Sequence, residues 1–235
     1  MTEEQLLKFT KELGIARDQI LREEAEMAIL WDISQDKLSV NLAFYGGTAL
    51  RLAYNSPRFS EDLDFLALKP TDYAAFKELL NKITARHTPN WKLADIKHKR
   101  QTMFALINIK DEKLKHHYSV KIEIHQPIKP PKLQTNLLLI TSPTSILQPL
   151  LLAPTLSELR VLKENALANR QKARDLFDLW FIASKERQPF TPPKNTPNYP
   201  KREFTNDLQK FLPKQFWPII TQLYEQIDQK DSNHS

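Results

Sequence analysis

Residues 44–68 read FYGGTALRLAYNSPRFSEDLDFLAL. The chain holds only 3 glycines in 235 residues, and two of them, Gly46 and Gly47, stand together here. Asp62 and Asp64 follow, separated by one leucine. Ahead of the glycines, VNLAF (40–44) is an apolar run of strand length. TALRLAY (48–54) has helical spacing and is expected to start a helix at Thr48. NSPRFSE (55–61) reads as a polar turn, and LDFLAL (63–68) as a buried strand.

A strand that runs into two glycines and then a helix forms a small anion site. The glycines let the backbone turn tightly and let a phosphate approach without meeting a Cβ. The first helical turn offers unpaired N–H groups and the positive end of its dipole, and the Thr48 hydroxyl adds a donor. On a strand, residues i and i+2 face the same way. Asp62 and Asp64 therefore project together, while Leu63 and Phe65 point into the core. Two carboxylates so placed repel unless a cation lies between them. Paired hard oxygen ligands are what Mg²⁺ takes when it also holds nucleotide phosphates. Alone, a glycine pair can be a plain turn and an Asp-x-Asp a solvated edge. In this order along the chain they point to a site for nucleotide phosphates and a divalent cation.

Bulk properties narrow the classes. Lys and Arg number 34 against 28 Asp and Glu, a net charge of +6, and the pI is near 9.3. That balance is compatible with a nucleic-acid or nucleotide partner and with many ordinary proteins. Hydrophobic content of 41% supports a sizeable core. The absence of cysteine excludes disulfides, thiolate metal sites and a Cys nucleophile. No GxxxxGK[ST] loop and no Ser–His constellation is present. The segment MTEEQLLKF lacks the basic start and apolar core of a signal peptide. The most apolar later stretch, 136–154, is broken by Thr141, Ser142, Pro143, Gln148 and Pro149 and cannot span a bilayer. A soluble, cytoplasmic protein is expected.

Elsewhere, helical periodicity covers 3–13, 17–35 and 71–86. FALINIK (104–110) and YSVKIEIH (118–125) read as strands joined by a DEKLKHH hairpin loop. In the second, Val120, Ile122 and Ile124 share one face, and Ser119, Lys121, Glu123 and His125 the other. QPIKPP (126–131) breaks regular structure and is the expected boundary between lobes spanning 1–130 and 131–235. Beyond it, 155–169 and 172–185 are helical in pattern, 188–200 is a Pro-rich connector, and 203–229 is helical with interruptions at Pro213 and Pro218. Residues 230–235 are expected to form a loose tail. In the two central helices, Lys163 falls beside the apolar stripe. Arg174, Asp175 and Asp178 lie near one another, and an Asp178–Arg174 pair would contribute ~0.3 kcal/mol. Lys97, Lys99 and Arg100 with His98, and Lys113 and Lys115 with His116 and His117, are basic clusters of the kind found on solvated faces or on RNA phosphates.

Gly46-Gly47-Thr48 followed by Asp62-Leu63-Asp64-Phe65 resembles the Gly-Gly-[Ser/Thr] … Asp-h-[Asp/Glu]-h signature of the DNA polymerase β nucleotidyltransferase superfamily. The fuller string GGTALRLAY…RFSEDLDF, including Arg58, Phe59, Ser60 and Glu61, is similar to the AbiEii/AbiGii-type nucleotidyltransferase toxins of toxin–antitoxin systems. KENALANRQKARDLFDL (163–179) is similar to the same group. Tyr45 departs from it, since many members carry Lys before the glycines.

The resemblance implies an α+β fold, a polymerase β-like palm with a mixed sheet, followed by a C-terminal helical lobe, with the nucleotide in the cleft between. It implies that Gly46, Gly47 and Thr48, with Arg58 and Ser60, hold an NTP. Asp62 and Asp64 would bind Mg²⁺ or Mn²⁺. Glu123, on the polar face of its strand, would be a third ligand or a catalytic base. Lys163 would reach a nucleotide phosphate, and Asp175 or Asp178 would serve as a base or support Lys163. The activity implied is transfer of a nucleotidyl group from an NTP to RNA, a tRNA 3′ end foremost, with a separate antitoxin protein as partner and no membrane involved. A protein or small-molecule acceptor on the same fold, and a non-catalytic nucleotide- or RNA-binding module, are the competing expectations.

Overall fold

The structure is a computed structural model describing residues 1–194 and 196–232. Two helices come first, α1 (Glu3–Leu13) and α2 (Arg17–Ser34). Thr2 and Gln5 cap the start of α1 reciprocally, and Gly14 closes it in the left-handed conformation at φ 60°. Strand β1 (Leu42–Tyr45) runs directly into α3 (Gly46–Tyr54), and β2 (Asp62–Ala67) follows. Helix α3 thus starts two residues earlier than the apolar spacing predicts, with both glycines inside its first turn.

Helix α4 (Tyr73–Arg86) starts on Asp72, whose carboxylate accepts from the backbone N–H groups of Ala74 and Ala75. Strands β3 (Trp91–Lys99), β4 (Thr102–Ile109), β5 (Tyr118–His125), β6 (Thr135–Leu139) and β7 (Leu150–Pro154) complete one mixed sheet in the order β3-β4-β5-β2-β1-β7-β6. β1 pairs antiparallel with β2 and parallel with β7, and β2 pairs parallel with β5. Helices α5 (Leu156–Arg170), α6 (Ala173–Lys185), α7 (Lys201–Gln209) and α8 (Trp217–Ser232) follow.

Several expectations are corrected. Residues 131–154, given to a helical lobe, supply β6 and β7 to the sheet; the prolines around them bound short strands instead of ending the sheet. β3 is an edge strand whose outward Lys and Asp side chains hide its period. The turn 55–61 is not a solvated loop, because Ser56, Arg58 and Phe59 are buried. Pro218 occupies the first turn of α8, where its missing N–H costs nothing, and does not interrupt it. Of the expected tail, 230–232 belong to α8, and 233–235 lie outside the described residues. No described helix is long and apolar enough to cross a membrane.

Two buried clusters form. One joins the inner face of the sheet (Phe44, Phe65, Ile122, Ile124) to Leu30 of α2 and Leu80 of α4. The other joins Leu159, Leu176, Phe177, Phe204 and Leu223 of α5–α8. Helix α3 is packed into both, with Ala49 and Leu52 in the first and Leu50 in the second. The Gly-Gly segment is therefore fixed against sheet and helices alike.

Candidate active site

Tyr45 pairs with Asp64 across β1 and β2, and Asp64 with Glu123 across β2 and β5. Residues directly opposed on neighbouring strands share a face, so these three stand in a row. Asp62 stands opposite Lys121 in the same β2–β5 ladder. Lys121 Nζ lies 3.1 Å from Asp62 Oδ2 and 3.0 Å from Glu123 Oε2, so one ammonium bridges two of the three expected carboxylates. Among the described residues, no group of three or more His, Cys, Asp or Glu is arranged to hold a metal ion.

The glycines serve close approach. Gly46 has φ +87°, and a Cβ there would sit 2.7 Å from Asp64 Oδ2. A Cβ on Gly47 would run into the Arg58 guanidinium and lie 2.8 Å from Ser60 Oγ. The Thr48 hydroxyl donates to the Asp62 carbonyl at 2.5 Å and so ties α3 to β2. Burial, with Asp62 and Glu123 nearby, pushes the Asp64 carboxyl up to about 6, Lys121 notwithstanding. Burial, with Asp64 and Glu123, likewise raises the Tyr45 hydroxyl.

Facing this row across a cleft of about 410 Å³ is α5. Tyr45, Asp64, Glu123 and His125 line the cleft from the sheet, Gly46 from the start of α3, and Lys163, Asn165, Asn169 and Arg170 from α5. Lys163 is buried, its Nζ 3.0 Å from Asp175 Oδ1 and 2.5 Å from Asp178 Oδ2. Arg170 grips Asp175 at 2.7 and 2.6 Å. Burial works to raise the Asp175 carboxyl, but Arg170 and Lys163 outweigh it and hold it at about 2. Arg58, also buried, donates Nε and Nη2 to the two oxygens of Asp178 at 2.7 and 2.8 Å, and Nη1 to the Phe59 carbonyl. Burial raises the Asp178 carboxyl, and Arg58 and Lys163 bring it below the ordinary range.

Of the residues singled out in the sequence, Gly46, Asp64, Glu123 and Lys163 line one cleft, with Asp62 beside them on β2. Gly47, Thr48, Arg58 and Ser60 lie behind its wall and are not among its lining. Asp175 and Asp178 both turn to Lys163. The expected Asp178–Arg174 pair does not form: Arg174 lies 3.8 Å from Asp207, and Asp178 is taken by Arg58. Tyr45, Lys121, His125 and Arg170 complete the site. Alternation already places Lys121 and His125 beside Glu123, and Arg170 is the arginine that follows Ala166-Leu167 in the family-like stretch 163–179.

Residues 28–212 match the family described as "Nucleotidyl transferase AbiEii toxin, Type IV TA system". The chain belongs to the AbiEii family. It is a nucleotidyltransferase toxin of a type IV toxin–antitoxin system, and the family implies an NTP substrate and an antitoxin partner. Among solved structures, MenT4, a nucleotidyltransferase toxin from Mycobacterium tuberculosis, superposes with a TM-score of 0.60 at 20% identity, over 87% of this chain and 68% of that one. JHP933 from Helicobacter pylori superposes with a TM-score of 0.54 at 18% identity, over 93% and 97%. At these identities the two structures establish a shared fold. No curated protein sequence matches the chain. This AbiEii member thus has the α+β fold and the mixed sheet that its signature implies, with the carboxylate row and Lys163 on opposite walls of one cleft.

Proposed function

We propose that this AbiEii-family enzyme transfers a nucleoside monophosphate from an NTP to the terminal 3′ hydroxyl of an RNA, a tRNA foremost, with Mg²⁺ or Mn²⁺ held by Asp62, Asp64 and Glu123. The observation that carries the reading is the cleft itself, with carboxylates on the sheet wall and a buried lysine on the helix wall. The donor set suits a hard divalent cation that displaces the Lys121 ammonium from Asp62 and Glu123: it is all oxygen, and Asp64, lifted to about 6 by burial first and then by the neighbouring carboxylates, is favoured in its ionised form by a cation.

In the reaction, the acceptor hydroxyl oxygen bonds to the α-phosphorus. The bond from that phosphorus to its bridging oxygen breaks, and pyrophosphate leaves. A bound divalent ion would supply charge stabilisation at the attacking and leaving oxygens. The chain's own residues orient and neutralise. The start of α3, which reaches the cleft at Gly46, receives phosphate oxygens on its first backbone N–H groups. Lys163 places its remaining N–H on a phosphate, aimed by Asp175 and Asp178, which act through it as positioning residues. Glu123 ligates or takes the hydroxyl proton. Thr48, Arg58 and Ser60 hold the glycine turn and the Asp62 strand in register from behind.

The test is purified protein with Mg²⁺, each α-labelled NTP in turn, and total cellular RNA. Label in a discrete small-RNA band supports the reading and names the donor. Label in protein only keeps nucleotidyl transfer and removes RNA as acceptor. No label anywhere contradicts the reading.

A further inference from the structure

The sheet has one open face beside the cleft. On β4, Met103, Ala105 and Ile107 are fully buried against the helices, while Thr102, Phe104 and Leu106 point the other way and stay half-buried. Phe104 is in register with Glu123 on β5 and with Lys97 on β3. A single row thus crosses five strands: Lys97, Phe104, Glu123, Asp64, Tyr45. Lys97 Nζ and Lys99 Nζ stand 5.9 and 5.6 Å from the Phe104 ring centroid. Lys99 and Arg100 end the hairpin at the level of His125, which itself lines the cleft. At ~4.8 Å per strand, Phe104 is one strand from Glu123 and roughly 10 Å from Asp64.

We propose that this open face is the docking surface for the single-stranded 3′ end of the RNA acceptor, with Phe104 stacking its bases and Lys97 and Lys99 meeting its phosphates. The inference rests on the reading of RNA as acceptor given above. A half-buried ring with two flexible lysines over it, in register with residues that line a reaction cleft, has the chemistry that recognises unpaired nucleotides: stacking tolerates any base, and lysines track the backbone. The positive charge of the strip complements a polyanion and gives way along the same row to the carboxylates, so the chain arrives along cations and ends at the carboxylates. Lys97 also pairs with Asp95, an exposed ion pair that a phosphate can exchange at little cost.

The experiment compares wild type with Phe104→Ala, Phe104→Leu, Phe104→Trp and the double variant Lys97→Gln/Lys99→Gln. Binding of a fluorescent hairpin RNA with an unpaired 3′ tail, and of a blunt duplex, is read alongside KM for RNA and for NTP. Loss of the ring in Phe104→Ala and Phe104→Leu weakens tailed-RNA binding ~10-fold and raises its KM. It leaves KM for NTP and blunt-duplex binding unchanged, and Phe104→Trp retains wild-type behaviour. The double lysine variant flattens the slope of log Kd against log salt by about 1.4. Wild-type affinity for tailed RNA in Phe104→Ala and Phe104→Leu overturns the proposal, as does an equal rise in KM for NTP. If those variants are unaffected while wild type labels RNA, only the docking surface fails. If wild type binds and labels no RNA, the acceptor reading fails and the docking surface with it.

Discussion

Arg58 and Asp178 lie 120 residues apart in the chain and share two hydrogen bonds of 2.7 and 2.8 Å in the protein interior. The same Asp178 carboxylate accepts Lys163 at 2.5 Å. The turn that leads into Asp62 and the lysine on the opposite wall are therefore held by one buried group. Removing Arg58 leaves that carboxylate buried and short of a partner, which costs about 3–5 kcal/mol. Arg58→Met is expected to lower the urea midpoint accordingly and to lower activity further through Lys163. Arg58→Lys restores little, because an ammonium cannot make the two-pronged contact. An unfolding free energy within ~0.5 kcal/mol of wild type would show that the bridge is dispensable.

The glycine pair makes a steric prediction. A methyl on Gly47 meets the Arg58 guanidinium and Ser60, both held from behind, so Gly47→Ala costs about 1–3 kcal/mol as an overpacked site. Gly46→Ala meets Asp64 and is strained at φ +87°. It is expected to damage activity more than its loss in Tm alone explains, because the carboxylate it displaces is in the reaction row. Thermal melts and initial rates on both variants check this.

Asp64 carries a cost in stability that its role explains. Its carboxyl is lifted to about 6 in the folded protein, above the unfolded value of about 3.9. A carboxylate raised in this way contributes most to stability below the unfolded value, and that contribution is lost as pH rises through about 6. Asp64→Asn is therefore expected to gain about 3 kcal/mol over wild type at pH 8 and almost nothing at pH 4, in metal-free buffer, while losing activity. Equal stability of the two proteins at pH 8 would contradict this.

Glu26 on α2 is fully buried, with Oε1 unpartnered. Burial, with Glu23 close by, pushes its carboxyl well above the ordinary range. The sign is the same: stability falls as pH rises through the folded value. Glu26→Gln should raise the Tm at neutral and alkaline pH, with the gain shrinking in acid. A Tm that drops at pH 8 would mean that the ionised carboxylate has a partner in solution.

What the sequence discloses follows from what is local. The β1–α3 junction, β2 and β5 are legible because alternation and a glycine pair are properties of a few adjacent residues. That Glu123 stands beside Asp64 is not, because the register of a parallel pair is set by the elements between the strands. Arg58 reads as part of a polar turn, since nothing near it in the chain reveals a buried partner at 178. β6 and β7 are masked by prolines and by the exposure of Leu137, Leu139 and Leu150. Lys163 is visible only through the family's pattern; its burial against two aspartates depends on the packing of α5 on α6.

The most direct test of the central claim compares initial rates of label transfer from NTP for wild type, Asp62→Ala, Lys163→Ala and the double variant, all checked for folding by circular dichroism. Groups acting as one unit on opposite walls of a single cleft give losses that do not add. Each single variant should fall at least ~100-fold, and the double variant should be scarcely worse than either. Wild-type transfer by a folded Asp62→Ala or Lys163→Ala protein would place the reaction elsewhere on the molecule.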